Sequence, residues 1–398
     1  MLIVVTGMLR LSGEYPIING ICFASKILCG ASCLLYTLLI IGKIQKNAII
    51  KTTLCILLYT AVITISTLSF HLPNGVIDVL LWPLLSLVFY DSSKRGDEYK
   101  FIKRTILFFY ALVILGCTII VKWRASGITG NGGVVYNAYF CLTLLPLVLK
   151  YHPKILGKIL IFVPIIMLLL TAKRTGLLIA VIGCALYYVA DVLILESSTK
   201  KIKKYAKYFV LAIVAITIIY FAQKTEIDKA ISRFNSLSED EGSGRLTIWR
   251  TVLDSFKNSA IVRQIFGHGT HSVLYELKPG GIERYAHNSF LEYLYDYGII
   301  GFTLIVSYVA MLIARIKDYV KQKSSNLPVL TYTLTITVLL SLFSYYFEQS
   351  YIILPVSMTI GIILGEEKER LALKNRNTHD VEPENSKKDS ETNEAPQK

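Results

Sequence analysis

Long apolar runs separated by short polar stretches dominate the chain. They fall at 17–41, 48–70, 75–91, 105–122, 133–150, 155–171, 174–195, 205–222, 289–314, 327–347 and 349–365. Each approaches the roughly 20 mostly apolar residues that a helix needs to cross a hydrocarbon core. The pattern predicts an all-α, polytopic membrane bundle of about 11–12 spans. The opening MLIVVTGML is too short to span. Arg10 follows this stretch instead of preceding it, unlike a cleavable signal peptide. It reads either as an interfacial piece or as the remnant of a twelfth span. Two segments break the rhythm. Residues 223–286 form one large polar loop, and 366–398 are rich in Glu, Lys, Asn and Pro with no apolar periodicity after Leu373. The second reads as a disordered tail. The organisation expected is therefore 1–222 in spans, 223–286 as loop, 287–365 in spans and 366–398 as tail.

Composition agrees with this pattern. Of 398 residues, 53% are hydrophobic and 18% charged, with mean hydropathy +0.52. A soluble domain carries about 25% charged residues. The net charge of +14 arises from 42 Lys+Arg against 28 Asp+Glu. Its placement decides its meaning. One set of alternate loops holds twenty basic residues, from Lys43 to Lys323; the opposite short loops and the N-terminus hold five. Positive residues in short loops mark the cytoplasmic side. The loop 223–286 then lies outside the cytoplasmic membrane and the tail inside. Most of the charge excess is thus topology, and with no compact basic domain a nucleic-acid partner is discarded. Seven cysteines all sit in apolar runs with no CxxC pair, and read as small buried hydrophobes.

The large loop carries local order. Ser243 can cap a helix beginning near Arg245, which puts Ile248, Trp249, Val252, Leu253 and Phe256 on one face. Phe266-Gly267-His268-Gly269 then permits a tight turn. Three arginines, Arg124, Arg174 and Arg245, sit outside, where short loops disfavour them. A guanidinium fork suits phosphate oxygens, although headgroup anchoring, a structural ion pair or helix capping would also hold an arginine there. His287 starts the ninth span, where the helix dipole favours a neutral ring fit to take a hydroxyl proton; a structural cap is the alternative. His268 and His271 form an H-x-x-H, but the adjoining glycines argue for a turn and against a metal-bearing helix. Glu292 and Asp296 share one helical side, either as functional carboxylates or as partners of an outer arginine. Glu348, after the tenth span, either orients His287 or is a solvated turn residue.

The stretch His287-Asn288-Ser289-Phe290-Leu291-Glu292, followed by Gly298-Ile299-Ile300-Gly301, resembles the signature of the O-antigen ligase and polymerase superfamily. Gly244-Arg245 with Trp249 resembles the motif opening that family's outer loop, and Phe266-Gly267-His268-Gly269 its glycine turn. Lys173-Arg174-Thr175-Gly176 resembles its Ser-Arg-Gly element, with Lys for the usual Ser. Arg124 with Gly127, Gly130 and Asn137 resembles an earlier element. The resemblance covers roughly residues 120–310 and implies glycan transfer at the outer face of the cytoplasmic membrane. The implied donor is a glycan on undecaprenyl pyrophosphate. The acceptor is a second lipid-linked repeat unit for a polymerase, or lipid A core for a ligase. No metal or other cofactor is implied. Arg174, Arg245 and Arg124 would hold pyrophosphate, His287 would activate or position the acceptor hydroxyl, and His268, Asn288 and Glu292 would line or support the acceptor site. The Lys-rich tail and the Lys, Asn and Ile usage favour a polymerase of O-antigen, capsule or exopolysaccharide units, with a chain-length regulator as a candidate partner. A ligase is the nearest alternative. A lipid-oligosaccharide flippase is a second, though no half-to-half repeat supports it.

Overall fold

The computed structural model describes residues 16–43, 47–67, 73–93, 132–152, 154–170, 174–194, 245–278, 285–344, 346–347 and 349–379, with isolated positions in 105–111 and 202–213. Among these residues every regular element is helical. The helices are α1 (Pro16–Ile40), α2 (Ala48–Ser66), α3 (Pro73–Ser92), α4 (Gly132–Tyr151), α5 (Ile155–Leu160), α6 (Phe162–Leu170), α7 (Arg174–Ile194), α8 (Arg245–Asn258), α9 (Ile261–Phe266), α10 (Ser289–Lys321), α11 (Leu327–Phe343) and α12 (Ser350–His379). A single π-helical turn, Val273–Leu277, lies between α9 and α10. Among the described residues, four helices are long and apolar enough to cross a membrane: Phe23–Ile40, Ala48–Ser66, Thr175–Ile194 and Ser289–Lys321. In hydrocarbon a helix satisfies its own backbone groups, which is why such runs fold this way. Buried threonines in α2 extend the principle. Thr53, Thr60 and Thr64 each donate to the carbonyl four residues back.

The central helix is α3, packed by α12, α1 and α2; α11 packs against α7, α4 and α10. Trp82 of α3 meets the rings of Tyr308 and Phe347 at 5.7 and 5.6 Å. Lys26 and Asp78 form a buried ion pair at 2.5 Å between α1 and α3. The apolar flank of α1 is exposed instead: Leu28 is 68% and Leu39 73% accessible, as lipid-facing residues would be. The cysteines described, Cys29, Cys33, Cys55, Cys141 and Cys184, are all free.

Two features depart from the sequence pattern. Helix α12 continues to His379, well into the segment expected to be disordered. That stretch is rich in helix formers, and polar partners at one end of the bundle hold its start. Glu366 accepts from Lys150, and Glu367 from Ser324 at 2.6 Å and from Arg370. Helix α10 is also broken inside, where Gly298 takes φ 66° and ψ −170°.

Candidate active site

At the end of the bundle away from Glu366, the break in α10 receives the glycine turn that follows α9. Gly267 has φ 93°, and a Cβ on it would lie 2.2 Å from the Asp296 carbonyl oxygen. A Cβ on Gly298 would lie 2.4 Å from the Ile265 carbonyl oxygen and 2.6 Å from the Gly267 nitrogen. The two backbones therefore touch, and only glycine fits both the space and the dihedral. Tyr59 of α2 donates to the carbonyls of Tyr297 at 2.8 Å and Phe266 at 3.2 Å, bracketing the contact. The N–H groups of His268 and Gly269 donate to the carbonyls of Tyr295 and Asp296 at 3.1 and 2.9 Å. The buried carboxylate of Asp296 then takes the next two donors, His271 N–H at 2.7 Å and Val273 N–H at 3.0 Å. His271 has a left-handed φ of 62°. Thr64 and Thr270 close the far side with hydroxyls 2.6 Å apart.

His268 belongs to this lock. Its ring stacks on Tyr295 with centroids 4.0 Å apart and planes 4° apart. Nδ1 donates to the Tyr295 carbonyl at 3.1 Å, and Nε2 lies 2.9 Å from the Ser259 hydroxyl, which also faces the Ser255 carbonyl at 2.7 Å. Burial lowers its pKa below the usual 6.5 and keeps the ring neutral.

His287 stands on a second built turn. It is exposed and carries a left-handed φ of 53°. Asn288 is the helix cap: its side-chain oxygen accepts from Phe290 and Leu291 N–H at 3.0 and 3.2 Å. Glu292 is 1% exposed, and its carboxylate accepts from Ala286 N–H, one residue before His287. Trp249 of α8 donates from its indole to the Ala286 carbonyl at 2.8 Å. Ser289 accepts from Tyr346 N–H at 2.7 Å and donates to the Ser344 carbonyl at 3.4 Å. The turn bearing His287 is thus gripped from α8, from within α10 and from the connector after α11.

Arg245 reaches the connector that Ser289 uses. Arg245, one turn before Trp249, donates to the Phe343 carbonyl at 3.1 Å, next to the Ser344 carbonyl that Ser289 uses. Its charge also reaches the hydroxyl of Tyr139 on α4. Tyr139 in turn lies against the start of α7, where a Cβ on Gly176 would sit 3.2 Å from its hydroxyl oxygen. Arg174 is the first residue of that helix. Among the described residues no carboxylate pairs with Arg245, so its guanidinium touches a carbonyl and keeps further donors for an anion.

Residues 159–306 match the family model described as O-antigen ligase. This match supports the resemblance to the O-antigen ligase and polymerase superfamily. No curated protein matches the chain. The matched segment runs from the end of α5 into α10 and contains Arg174, Arg245, both glycine turns and His287. The match supports a membrane glycan-processing function of the ligase or polymerase type.

Set against the superfamily motifs, the geometry sorts the sequence candidates. Arg245, His287 and the start of α7 converge through Phe343, Ser344 and Tyr139. His268, Asn288 and Glu292 support the loops: His268 locks the glycine turn, Asn288 caps α10, and Glu292 holds the His287 turn. Glu292 and Asp296 each accept from backbone N–H groups. Arg124 and Glu348 lie outside the described residues. The helix from Arg245 forms as its pattern predicts, with Ile248 and Val252 buried against Val273, Ala286 and Tyr295. Tyr59, Tyr139, Ser259 and Ser289 were not singled out for these roles by sequence reasoning. Only Tyr139 stood near a signal, two residues after Asn137 of the early motif. Asn137 itself is 1% exposed, and its Nδ2 makes no hydrogen bond among the described residues.

Proposed function

We propose that the protein is a membrane glycan polymerase that joins undecaprenyl-pyrophosphate-linked repeat units at the outer face of the cytoplasmic membrane. The observation that carries this reading is the double attachment of α8, with Arg245 bound at Phe343 and Trp249 at Ala286, beside His287. It supports an arrangement with a cationic fork on one side of the site and an exposed imidazole on the other. In the proposed reaction the acceptor hydroxyl of one lipid-linked unit attacks the anomeric carbon of another. The new glycosidic C–O bond forms as the bond to pyrophosphate breaks. Arg245 and Arg174 stabilise the charge that grows on the departing lipid pyrophosphate, with Arg124 as a further candidate. His287 takes or steers the hydroxyl proton. Glu292, through Ala286, and Asn288, through the helix cap, hold that imidazole in position.

The test is glycan length in the source strain with His287→Ala and, separately, Arg174→Ala at normal membrane levels. A single positioned acid–base group contributes roughly 10²–10⁴-fold in rate, so polymer should give way to single-unit stubs. Long polymer left unattached to its final acceptor would make the protein a ligase. Unchanged glycan in both variants would remove the residue assignment.

A further inference from the structure

The opposite end of the bundle holds a cavity of about 230 Å³ between α2, α3, α10 and α12. Three positive features converge on it. Arg315 lies on its wall and gives Nη1 to Asp318 at 3.0 Å, which leaves the rest of its fork. Lys368 lies on the wall too, with its ammonium 5.7 Å from the centre of the Tyr90 ring and no ion pair among the described residues. The third is the N-terminus of α2, capped by Asn47, whose amide oxygen accepts from Ile49 N–H at 3.0 Å and whose amide nitrogen is left as a donor. The positive end of a helix favours an anion there. The wall carries one carboxylate, Glu367, already engaged by Ser324 and Arg370. Leu364 and Leu371 add an apolar rim on the α12 side.

We propose that this cavity is a binding site for the phosphate headgroup of an anionic phospholipid, with the acyl chains lying along the leucine rim. Cations, amide and helix terminus suit a phosphate, and the apolar rim at the end of a membrane bundle suits a molecule with a lipid tail better than a free phosphate. The site is separate from the His287 end and does not depend on the glycan-transfer reading.

The purified full chain in neutral detergent is titrated with phosphatidylglycerol, phosphatidylcholine and inorganic phosphate, and bound lipid is counted by native mass spectrometry. Phosphatidylglycerol should be retained and phosphatidylcholine should not. The double variant Arg315→Gln, Lys368→Gln should bind phosphatidylglycerol roughly tenfold more weakly, the scale of one lost charge-assisted contact. The control Lys317→Gln, Lys321→Gln on the same helix should bind as the parent does. Equal weakening by the control would replace a built site with diffuse charge and overturn the proposal. Displacement of the lipid by inorganic phosphate would assign the cavity to a soluble phosphate and overturn the lipid assignment. A readout without substitution guards against misfolded variants. Photoactivatable phosphatidylglycerol should crosslink to peptides carrying Tyr319 or Leu371, and crosslinks confined to other peptides would refute the site.

Discussion

At the end of the bundle that carries His287, the buried carboxylates of Asp296 and Glu292 accept backbone N–H groups; at the other end, part-buried Glu366 and buried Glu367 accept from lysine, serine and arginine side chains. The consequence is electrostatic. Lys150 and Arg370 are neutralised in place by their partners, whereas Arg245 rests on a carbonyl. A carboxylate given to the backbone builds a loop and leaves nearby cations available. Glu366 paired with Lys150 ties α12 to α4 and offsets that lysine's charge, while Arg315 and Lys368 nearby keep donors for the phosphate proposed above. The first arrangement suits a loop built around a site, and the second suits a structural clamp beside the cavity.

The largest expected effect comes from breaking the backbone contact of the lock. Gly298→Ala places a Cβ where Ile265 and Gly267 already stand and forces a left-handed alanine, a cost of roughly 3 kcal/mol from strain and overpacking. Thermal unfolding of the purified protein should register it, together with loss of glycan product. Asp296→Asn follows at roughly 2 kcal/mol, because an amide cannot accept both N–H groups and turns a donor toward one of them. Hydrogen exchange should speed at His271 and Val273 in particular, and an unchanged pattern would disprove the lock. At the other end, Glu366→Gln should cost about 1 kcal/mol and leave glycan length untouched, since that part-buried pair is structural. A shortened glycan there would erase the contrast between the ends. Smallest is the effect of pH on His268. Its folded pKa is lowered, so the stability tied to the neutral ring is fully present above the unfolded value near 6.5 and declines as pH falls toward the folded value. Amides 267–272 should therefore exchange faster at about pH 5.5 than at about pH 7.5 once intrinsic rates are corrected.

Helices α1, α2, α7 and α10 were legible because a run of apolar residues long enough to span carries its own reason to be helical. Helix α8 was legible for the same kind of reason, since the apolar face from Ile248 to Phe256 has one period. Residues that match by distant contact were not. Tyr59 reaches Tyr297 across 238 positions, and nothing in either residue type announces it. The tail beyond Glu366 looked disordered because its order comes from Lys150 and Ser324 on other helices. The glycine pair 267 and 298 was visible as two motifs, but that they press together follows only from the folded backbone. Arg245 was singled out by its charge, while its partner is a main-chain carbonyl that any residue at 343 would supply. The hydrogen-bond partners of Asn288 and Glu292 were not legible for a related reason: a cap and a carboxylate clasp depend on where the turn closes.

The central proposal is that the His287 end binds a pyrophosphate through Arg245, which no carboxylate pairs among the described residues. Binding of undecaprenyl pyrophosphate to the purified protein tests it most directly, comparing the parent with Arg245→Gln and with Lys150→Gln at the other end. The account predicts roughly tenfold weaker binding for Arg245→Gln, the worth of one charge-assisted pair, and parent-like binding for Lys150→Gln. Equal affinity in the parent and Arg245→Gln, or a loss confined to Lys150→Gln, would contradict it.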